Sequence, residues 1–318
     1  MKGRVGCAGI LVADIFCGPI KTLPPEGQLL AVDEIPVKVG GCAANVAIDL
    51  LKQGIDVDIA GCAGDDPSAG LILDVLEQAG VGVTQISSTA QFPTSKTVIL
   101  LVEGEDRRYV HTFGANAAFS IGGLSGEWIS GLDIFYLGGL GVLPAIRDDE
   151  LVDLLKRCSE QGIVSVVDVV LPQADEDYSS FLALLPYIDY FLPNDDEGRL
   201  LTGEQNTDKI LDIMRDAGAN TVIMTLGSAG AVAMQAERRM RCGCFPGTMI
   251  DPSGAGDAFA AGIIAAVANG WPLSKALRYA SALGTSAISQ VGTTDGVFDA
   301  RAAEEFLGMH QLEIHNDD

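Results

Sequence analysis

Residues 251–267 read DPSGAGDAFAAGIIAAV, so a turn of small residues runs directly into an apolar segment. The apolar segment predicts a buried helix, and the small residues before it allow backbone amides to point at an anion bound at the helix N-terminus. Asp257 falls in the first helical turn, where its carboxylate can accept a proton from a hydroxyl that attacks a bound phosphoryl group. The segment predicts a phosphate cradle with a base beside it, although an aspartate-capped glycine turn has the same pattern.

The bulk composition indicates a globular enzyme that acts on small-molecule substrates. The chain has 318 residues, of which 48% are hydrophobic, enough for a large core. A net charge of -23 argues against a nucleic-acid partner, which needs clustered Lys and Arg. The seven cysteines are an odd number spread along the chain, and no secretory signal pattern or membrane-length apolar run is present. We therefore expect a cytoplasmic protein with reduced thiols and no membrane partner.

Helical and strand-like segments alternate along most of the chain, which predicts an α/β protein with a parallel sheet covered by helices. The predicted helices cover 43–53, 68–78, 148–161 and 207–217, and the predicted core strands cover 57–60, 133–137, 164–167, 189–192 and 221–225. Three further strands, 35–39, 96–102 and 107–113, fall outside this alternation. Because open α/β sheets bind ligands at the carboxyl ends of their strands, a small β appendage there would act as a lid. The polar tail, 313–318, is expected to fray.

A second motif, GGCAAN at residues 40–45, precedes the first predicted helix. Gly40 and Gly41 permit close approach of a ligand to the backbone, and Asn45 offers both a donor and an acceptor to a polyol. Asp14 follows the apolar run 10–13 at a predicted strand end, where its carboxylate could accept bonds from sugar hydroxyls. Taken separately, these segments also fit a turn followed by a helix start.

Two more motifs follow predicted core strands. The sequence NDDE at 194–197 places Asn194 and Glu197 at the carboxyl edge of the sheet, where they could hold a water-coordinated Mg²⁺ or simply cap the next helix. The sequence TLGSAG at 225–230 gives a glycine-bearing turn that suits close packing against a nucleotide. Both signals are weak in isolation.

The order and spacing of these motifs resemble the ribokinase-like (PfkB) carbohydrate kinase family, from the first strand to about residue 306. Residues 40–45 are similar to its N-terminal signature, residues 251–257 to its C-terminal signature and residues 194–197 to its NxxE motif. The resemblance implies a single kinase domain over 1–318, a three-layer α/β/α fold with a mostly parallel central sheet and a small β-strand lid. We expect this discontinuous lid over about 11–39 and 95–114.

The resemblance also implies a phosphotransferase that moves the γ-phosphoryl group of ATP to a hydroxyl of a sugar or nucleoside, with Mg²⁺ as cofactor. In this pattern Asp257 is the general base, and the amides of Gly254, Ala255 and Gly256 form the anion hole. The physical chemistry agrees, since phosphoryl transfer needs in-line positioning, charge neutralisation and a proton acceptor.

Around this centre the resemblance implies three groups of ligand contacts. The Mg²⁺ and phosphates would be organised by Asn194 and Glu197, with Mg²⁺ held through water. The acceptor would bind to Asp14, Gly40, Gly41 and Asn45, and the ATP site would be formed by Asn194, Thr225, Gly227, Gly230, Gly254 and Gly256.

Two positions depart from the family pattern, and the binding of a monovalent cation is not determined by the motifs. Pro252 replaces the Thr or Ser that commonly follows the first signature aspartate, and Val170 replaces an Asn that commonly lies two residues after the aspartate at position 168. The family's monovalent-cation site usually involves the first signature aspartate and the loop near Gly292. Potassium at Asp251 is therefore an expectation that rests on the resemblance alone.

The acceptor is the least determined feature of the sequence. Arg108 and His111 alternate on the last lid strand, so we expect at most one to face the site, and an inward Arg108 would favour an acceptor with a phosphate or carboxylate. A sugar ranks first, with a nucleoside kinase or a non-catalytic nucleotide or sugar sensor on the same scaffold as alternatives. A homodimer through the lid is a further expectation from the resemblance.

Overall fold

The computed structural model of the protein describes residues 3–105, 107–172 and 176–317. Its strands are β1 (Val5–Gly9), β2 (Val12–Ile20), β3 (Val37–Gly40), β4 (Val57–Gly64), β5 (Gly82–Thr89), β6 (Lys96–Val102), β7 (Arg108–Thr112), β8 (Ile134–Leu140), β9 (Val164–Val169), β10 (Tyr190–Phe191), β11 (Thr221–Thr225), β12 (Ala231–Gln235), β13 (Arg238–Cys242) and β14 (Ile314–Asp317). Its helices are α1 (Cys42–Lys52), α2 (Pro67–Ala79), α3 (Gly126–Ser130), α4 (Asp148–Glu160), α5 (Asp195–Thr202), α6 (Thr207–Asp216), α7 (Ala255–Ala268), α8 (Leu273–Ala287) and α9 (Ala300–Met309).

A ten-stranded sheet forms the centre of the protein, in the order β14-β13-β12-β11-β10-β9-β8-β1-β4-β5. The pairs from β11 to β5 are parallel, whereas β12, β13 and β14 continue the sheet in antiparallel pairs. The parallel part aligns the carboxyl ends of its strands at one edge, as the alternating pattern of the sequence predicts. The predicted α/β class and mostly parallel sheet are confirmed.

Helices cover both faces of this sheet, which gives the predicted three layers. Alternate residues of β8 divide between two apolar cores: Ile134 packs with residues of α1, α7 and α8, whereas Phe135 packs with residues of α4, α5 and α6. A strand buried on both faces needs a continuous apolar run, and every residue of β8 is buried. The helices therefore fix the strand ends that carry the candidate site.

A second, four-stranded sheet has the order β3-β2-β6-β7, and we call it the lid sheet. Its β2 and β6 are parallel, and its outer pairs are antiparallel. The segments predicted over 35–39, 96–102 and 107–113 correspond to β3, β6 and β7. The strand end predicted for Asp14 is wrong, because Asp14 lies inside β2 of the lid sheet. The lid bounds of 11–39 and 95–114, within one kinase domain over 1–318, stay a prediction.

The predicted helices agree with α1, α2, α4 and α6 to within a residue or two. The polar tail was misjudged, because residues 314–317 form β14 and pair antiparallel with β13. Backbone pairing with a neighbouring strand does not require an apolar pattern, so periodicity does not indicate this strand. Within the three described ranges, no helix is both long enough and apolar enough to cross a membrane.

Candidate active site

A cavity of about 240 Å³ opens between the N-terminus of α7 and the carboxyl ends of β9 and β10. Its polar and small lining residues are Cys42, Arg107, Tyr109, Asp168, Asn194, Glu197, Thr225, Pro252, Gly254, Ala255, Gly256 and Asp257. The cavity thus brings together the 194–197 and 251–257 motifs, which are far apart in sequence. Two residues from the lid side, Arg107 and Tyr109, complete its wall.

The turn before α7 has the geometry of an anion cradle. Gly254 occupies the cap position with φ of 77°, a left-handed conformation that favours glycine. A Cβ at Gly254 would lie 1.9 Å from the Thr293 carbonyl oxygen, so no larger residue fits there. A Cβ at Gly256 would meet nothing within 4 Å, which leaves the space beside the helix N-terminus open to a ligand. The first backbone N–H groups of α7 are therefore accessible to a phosphoryl group.

Asp257 is held in place by two residues at the start of α1. Asn45 Nδ2 donates to Asp257 Oδ2 over 2.7 Å, and the Cys42 thiol forms a second hydrogen bond to this carboxylate. Burial raises the pKa of Asp257, and the bonds from Asn45 and Cys42 oppose that rise. Asn45 Oδ1 is buried and has no hydrogen-bond partner within the described residues, and Asn45 lies behind the cavity wall without lining it. Asp257 and Asn45 form one polar unit, as their predicted roles require.

Two further carboxylates face the same cavity. Burial, reinforced by the charges of Glu197 and Asp257, raises the pKa of Asp168 well above its usual range, and Tyr136 donates to Asp168 Oδ2 over 3.3 Å. Burial also raises the pKa of Glu197 to about 7. Ligand atoms of Cys42, Asp168 and Asp257 lie within 4.8 Å of one another. Such a concentration of carboxylates suits a divalent cation, whose charge would favour their ionised forms.

Asn194 and Glu197 also form the helix cap that the sequence left as an alternative. Asn194 Oδ1 accepts from the Glu197 backbone N–H over 2.9 Å, and Glu197 Oε2 accepts from the Asn194 backbone N–H over 2.8 Å. This capping box satisfies two N-terminal amides of α5 and fixes both side chains at the cavity wall. The cap and a water-mediated magnesium role are compatible, because the cap orients Glu197 toward the cavity edge.

Asp14, Gly40 and Gly41 lie next to the cavity and do not line it. Asp14 is 5% exposed, and a Cβ at Gly40 would lie 1.8 Å from Asp14 Oδ2. Gly41 has φ of 92°, and a Cβ there would lie 2.4 Å from the Ile10 carbonyl oxygen. The two glycines therefore make room for Asp14 and for the chain entering β2. Burial, against an opposing hydrogen bond from Thr97, raises the pKa of Asp14 to about 6.

The inward position of Arg108 is not observed. Arg108 is half-exposed and pairs with Glu105, whereas Arg107 and Tyr109 line the cavity. Alternation along β7 explains this result, because neighbouring residues of a strand point to opposite faces. Arg108 is therefore not placed to bind the acceptor, and Arg107 is the lid arginine at the cavity wall. His111, on the same face as Tyr109, bonds to Thr97 Oγ1 over 3.0 Å.

Of the three residues predicted for the ATP site in the 225–230 turn, only Thr225 lines the cavity. Thr225 lines the cavity, and it forms an isolated parallel bridge with Asn194 that joins two of the motifs. Gly227 has φ of 55° and open space around it. A Cβ at Gly230 would lie 2.0 Å from the Cys242 carbonyl oxygen, so Gly230 is needed for packing against β13. Neither glycine lines the cavity.

Four residues of the wall that carry polar groups or a thiol were not predicted as site residues: Cys42, Arg107, Tyr109 and Asp168. Asp168 follows a core strand, as Asn194 does, and this position at the carboxyl edge was a usable signal. Cys42 lies within the 40–45 motif, beside the predicted ligands. Nothing in the sequence pattern distinguishes Arg107 and Tyr109 from other polar lid residues, because their position depends on how the lid sheet docks.

Comparison with known proteins gives an independent result. The sequence pattern of the pfkB family of carbohydrate kinases matches residues 5–300. The chain is 26% identical over 319 residues to a ribokinase of Haemophilus influenzae, a match that covers 96% of this chain and 99% of that protein. The similarity thus extends over both proteins and includes every motif discussed above.

The structure is similar to those of two solved kinases. It superposes with a TM-score of 0.80 and 24% identity on Arabidopsis thaliana ribokinase complexed with ribose and ATP, covering 96% of this chain and 99% of the other. It superposes with a TM-score of 0.82 and 20% identity on an E. coli protein assigned as ribokinase II, solved with ATP and Mg²⁺, at the same coverages. Both comparisons show a shared fold.

Proposed function

Because the chain belongs to the pfkB family of carbohydrate kinases, we propose that its cavity transfers the γ-phosphoryl group of ATP to a sugar hydroxyl, with Asp257 as the general base. One observation carries this proposal: Asp257 and the open N-terminus of α7 face the same cavity. A base and an anion site are thus adjacent, as in-line phosphoryl transfer requires.

In the proposed reaction, Asp257 accepts the proton of the acceptor hydroxyl while the hydroxyl oxygen attacks the γ-phosphorus of ATP. The bond from phosphorus to the β,γ-bridging oxygen breaks, and ADP leaves with that electron pair. The amides of Gly254, Ala255 and Gly256, at the positive end of α7, stabilise the charge on the phosphoryl oxygens. Asn45 holds the Asp257 carboxylate in position for the proton transfer.

The nucleotide and its metal fit the opposite wall. We assign Thr225 and Asn194 to the phosphate side of the ATP site and Gly227 to its open edge, whereas Gly230 supports the turn. Glu197 and Asp168 would hold Mg²⁺ through water; burial raises the pKa of both carboxyls, so a bound cation would be needed to stabilise their ionised forms. When bound, Mg²⁺ would neutralise phosphate charge.

The acceptor side lies between α1 and the lid sheet. Asn45 Oδ1 lacks a partner within the described residues, and the buried Asp14 carboxylate lies behind Gly40, so both oxygens suit sugar hydroxyls. Arg107 adds a cation to a wall rich in carboxylates, and this position allows acceptors with an anionic group. A similar ribokinase has been solved with ribose, and a neutral pentose is accordingly the first acceptor to test.

Acceptor binding should depend on the ionisation of Asp14. Its pKa is raised to about 6, so lowering the pH below 6 protonates the carboxyl and removes an acceptor of sugar hydroxyl bonds. With saturating ATP, we expect kcat/KM for the acceptor to fall by about tenfold per pH unit below pH 6. Asp14→Asn should have a lower kcat/KM for the acceptor at pH 8 than the wild type, and this value should not fall further below pH 6. The same pH profile in Asp14→Asn would assign the titration to another group, such as Glu197.

The proposed function is tested by ADP release from ATP and Mg²⁺ across pentoses, hexoses, keto-deoxy acids, polyols, sugar phosphates and nucleosides. Release that depends on a sugar supports the proposal and identifies the acceptor class. Release with nucleosides alone would favour the nucleoside-kinase alternative. ATP binding without acceptor-dependent release would favour a sensor on the same scaffold.

We also propose that the lid sheet pairs with a second copy of the chain. Its strands expose apolar side chains, including Val37 at 47% and Val110 at 66% exposure, with Leu29 at 89% in the segment between β2 and β3. Light scattering after size-exclusion chromatography should give twice the chain mass, and Val110→Lys should shift the species toward monomer. A monomer at all concentrations would contradict the dimer.

Two expectations from the sequence remain proposals. A cytoplasmic location is consistent with the seven free cysteines, which suit a reducing compartment. For potassium, the donor set at Asp251 is partly occupied: Oδ1 accepts from the Ser253 N–H over 2.9 Å and Oδ2 from the Gly292 N–H over 3.0 Å. The adjacent Val291 carbonyl accepts from the Lys38 ammonium. Because these groups already have donors, potassium at Asp251 stands as the alternative to the Lys38 contact, and it predicts that potassium activates the wild type.

A further inference from the structure

The loop between α8 and α9, residues 288–299, connects the lid sheet to the main body. Val291 packs against the apolar core of the lid sheet, formed by Phe16, Ile99 and Leu101. Thr293 Oγ1 donates to the Val39 carbonyl oxygen of β3 over 3.2 Å. The α8–α9 loop is therefore attached to the inner side of the lid sheet by both apolar and polar contacts.

The same loop supports the anion cradle from behind. The Gly292 N–H donates to Asp251 Oδ2 over 3.0 Å, and Asp251 is fully buried at the start of the cradle turn. The backbone of Thr293 packs so closely on Gly254 that a Cβ there would lie 1.9 Å from its carbonyl oxygen. A displacement of residues 291–293 would therefore displace the cradle amides, because close-packed backbone has no space to absorb it.

Lys38 holds this loop from β3. Its ammonium donates to the Val291 carbonyl oxygen over 2.8 Å and to Asp295 Oδ1 over 2.8 Å, so it bridges the residues on either side of Gly292. Lys38 also lies opposite Asp14 in the β2–β3 register, one strand from the proposed acceptor ligand. The Lys38 side chain is 28% exposed, so its bond to a backbone carbonyl is partly shielded from water.

We propose that Lys38 is a positioning residue that couples the lid sheet to the anion cradle, its ammonium acting as a built-in monovalent cation for the α8–α9 loop. The inference rests on the proposed function, since its consequence is the position of the amides that receive the phosphoryl group. A cation on the Val291 carbonyl and Asp295 carboxylate fixes the loop in the conformation that presents the Gly292 N–H to Asp251. The Lys38 ammonium then fixes the position of the anion cradle relative to the lid strand that carries Asp14.

Lys38→Met tests this role, because it keeps most of the aliphatic stem and removes the ammonium. In buffer with tetramethylammonium as the cation, we expect kcat to fall by about tenfold and KM for ATP to rise, with a smaller change in KM for the acceptor. Adding potassium at equal ionic strength should restore several-fold activity in Lys38→Met and leave the wild type unchanged. Lys38→Arg should keep most of the activity, because it retains the charge.

A second readout does not depend on turnover. Potassium should raise the melting temperature of Lys38→Met relative to tetramethylammonium and leave that of the wild type unchanged, since only the variant offers a vacated cation position. If Lys38→Met does not fold, Lys38→Gln takes its place, and it should show a weaker form of the same potassium response, because it removes the ammonium but its amide can still donate to the Val291 carbonyl. Lys209→Met is the matched control, because Lys209 is a surface lysine on α6 paired with Glu204 at 3.6 Å.

Three results would overturn the inference: wild-type kcat in Lys38→Met, potassium activation of the wild type to the same degree as the variant, or no effect of potassium on the melting temperature of the variant. A wild type that is inactive with every acceptor would contradict the proposed function. In that case the melting measurement still decides the role of Lys38.

Discussion

Asp257→Asn is expected to lower kcat by a factor on the order of a hundred to a thousand, with little change in the affinity for ATP. The substitution keeps the size of the side chain and a partner for Asn45 Nδ2, but an amide cannot take the hydroxyl proton. The loss should appear in the chemical step, because the amides of the α7 N-terminus still bind phosphate. Steady-state kinetics and isothermal titration with ATP together separate the two effects.

Asp196→Asn is the matched control for this experiment. Asp196 belongs to the 194–197 motif, which also reaches the cavity wall, but its own side chain is 84% exposed and pairs with Arg199 on the surface of α5. We expect its kcat to stay within about twofold of the wild type. If Asp257→Asn retained activity comparable to that of Asp196→Asn, Asp257 would not be the base.

Gly254→Ala should disrupt the cradle itself. The added Cβ would lie 1.9 Å from the Thr293 carbonyl oxygen, and φ of 77° is unfavourable for alanine. Left-handed strain costs roughly 1–2 kcal/mol and overpacking roughly 1–3 kcal/mol, so the free energy of unfolding should fall by about 2–5 kcal/mol. Because relief of the clash requires the turn to move, kcat/KM for ATP should fall by about a hundredfold or more. Denaturant unfolding and steady-state kinetics measure the two effects.

Gly80→Ala separates the backbone strain from the clash. Gly80 ends α2 with φ of 94°, but a Cβ there would meet nothing within 4 Å. It should lose about 1–2 kcal/mol of stability and keep wild-type kinetics. Equal stability losses in the two variants, with an unchanged KM for ATP in Gly254→Ala, would show that the cradle tolerates a side chain.

The sequence predicted most of the main body because its elements are determined by local patterns. Helix α2 has an aspartate cap, a proline in its first turn and a glycine at its end, and all of these signals act within the segment itself. The cradle was predicted for the same reason, since the small residues and the apolar helix are contiguous. The parallel sheet placed Asn194 at its carboxyl edge through topology, whereas Asp257 follows the antiparallel strand β13 and reaches that edge through the connection 243–254.

The features that the sequence missed depend on contacts between distant segments. Arg107 rather than Arg108 faces the cavity because of the docking of β7, and a shift of one residue reverses which side chains point inward. Asp14 was placed at a strand end, but pairing with β3 and β6 extends β2 to Ile20. The bridge from Lys38 to Val291 joins residues 253 positions apart, so no local pattern could indicate it.

The most direct test of the central claim is the fate of the γ-phosphoryl group with the best acceptor in the panel. Mass spectrometry of the quenched reaction should find one sugar monophosphate formed for each ADP with the wild type, and only a trace of it with Asp257→Asn. If ADP accumulated with inorganic phosphate and without a sugar phosphate, the cavity would hydrolyse ATP, and the assignment of a carbohydrate kinase mechanism to this site would be contradicted.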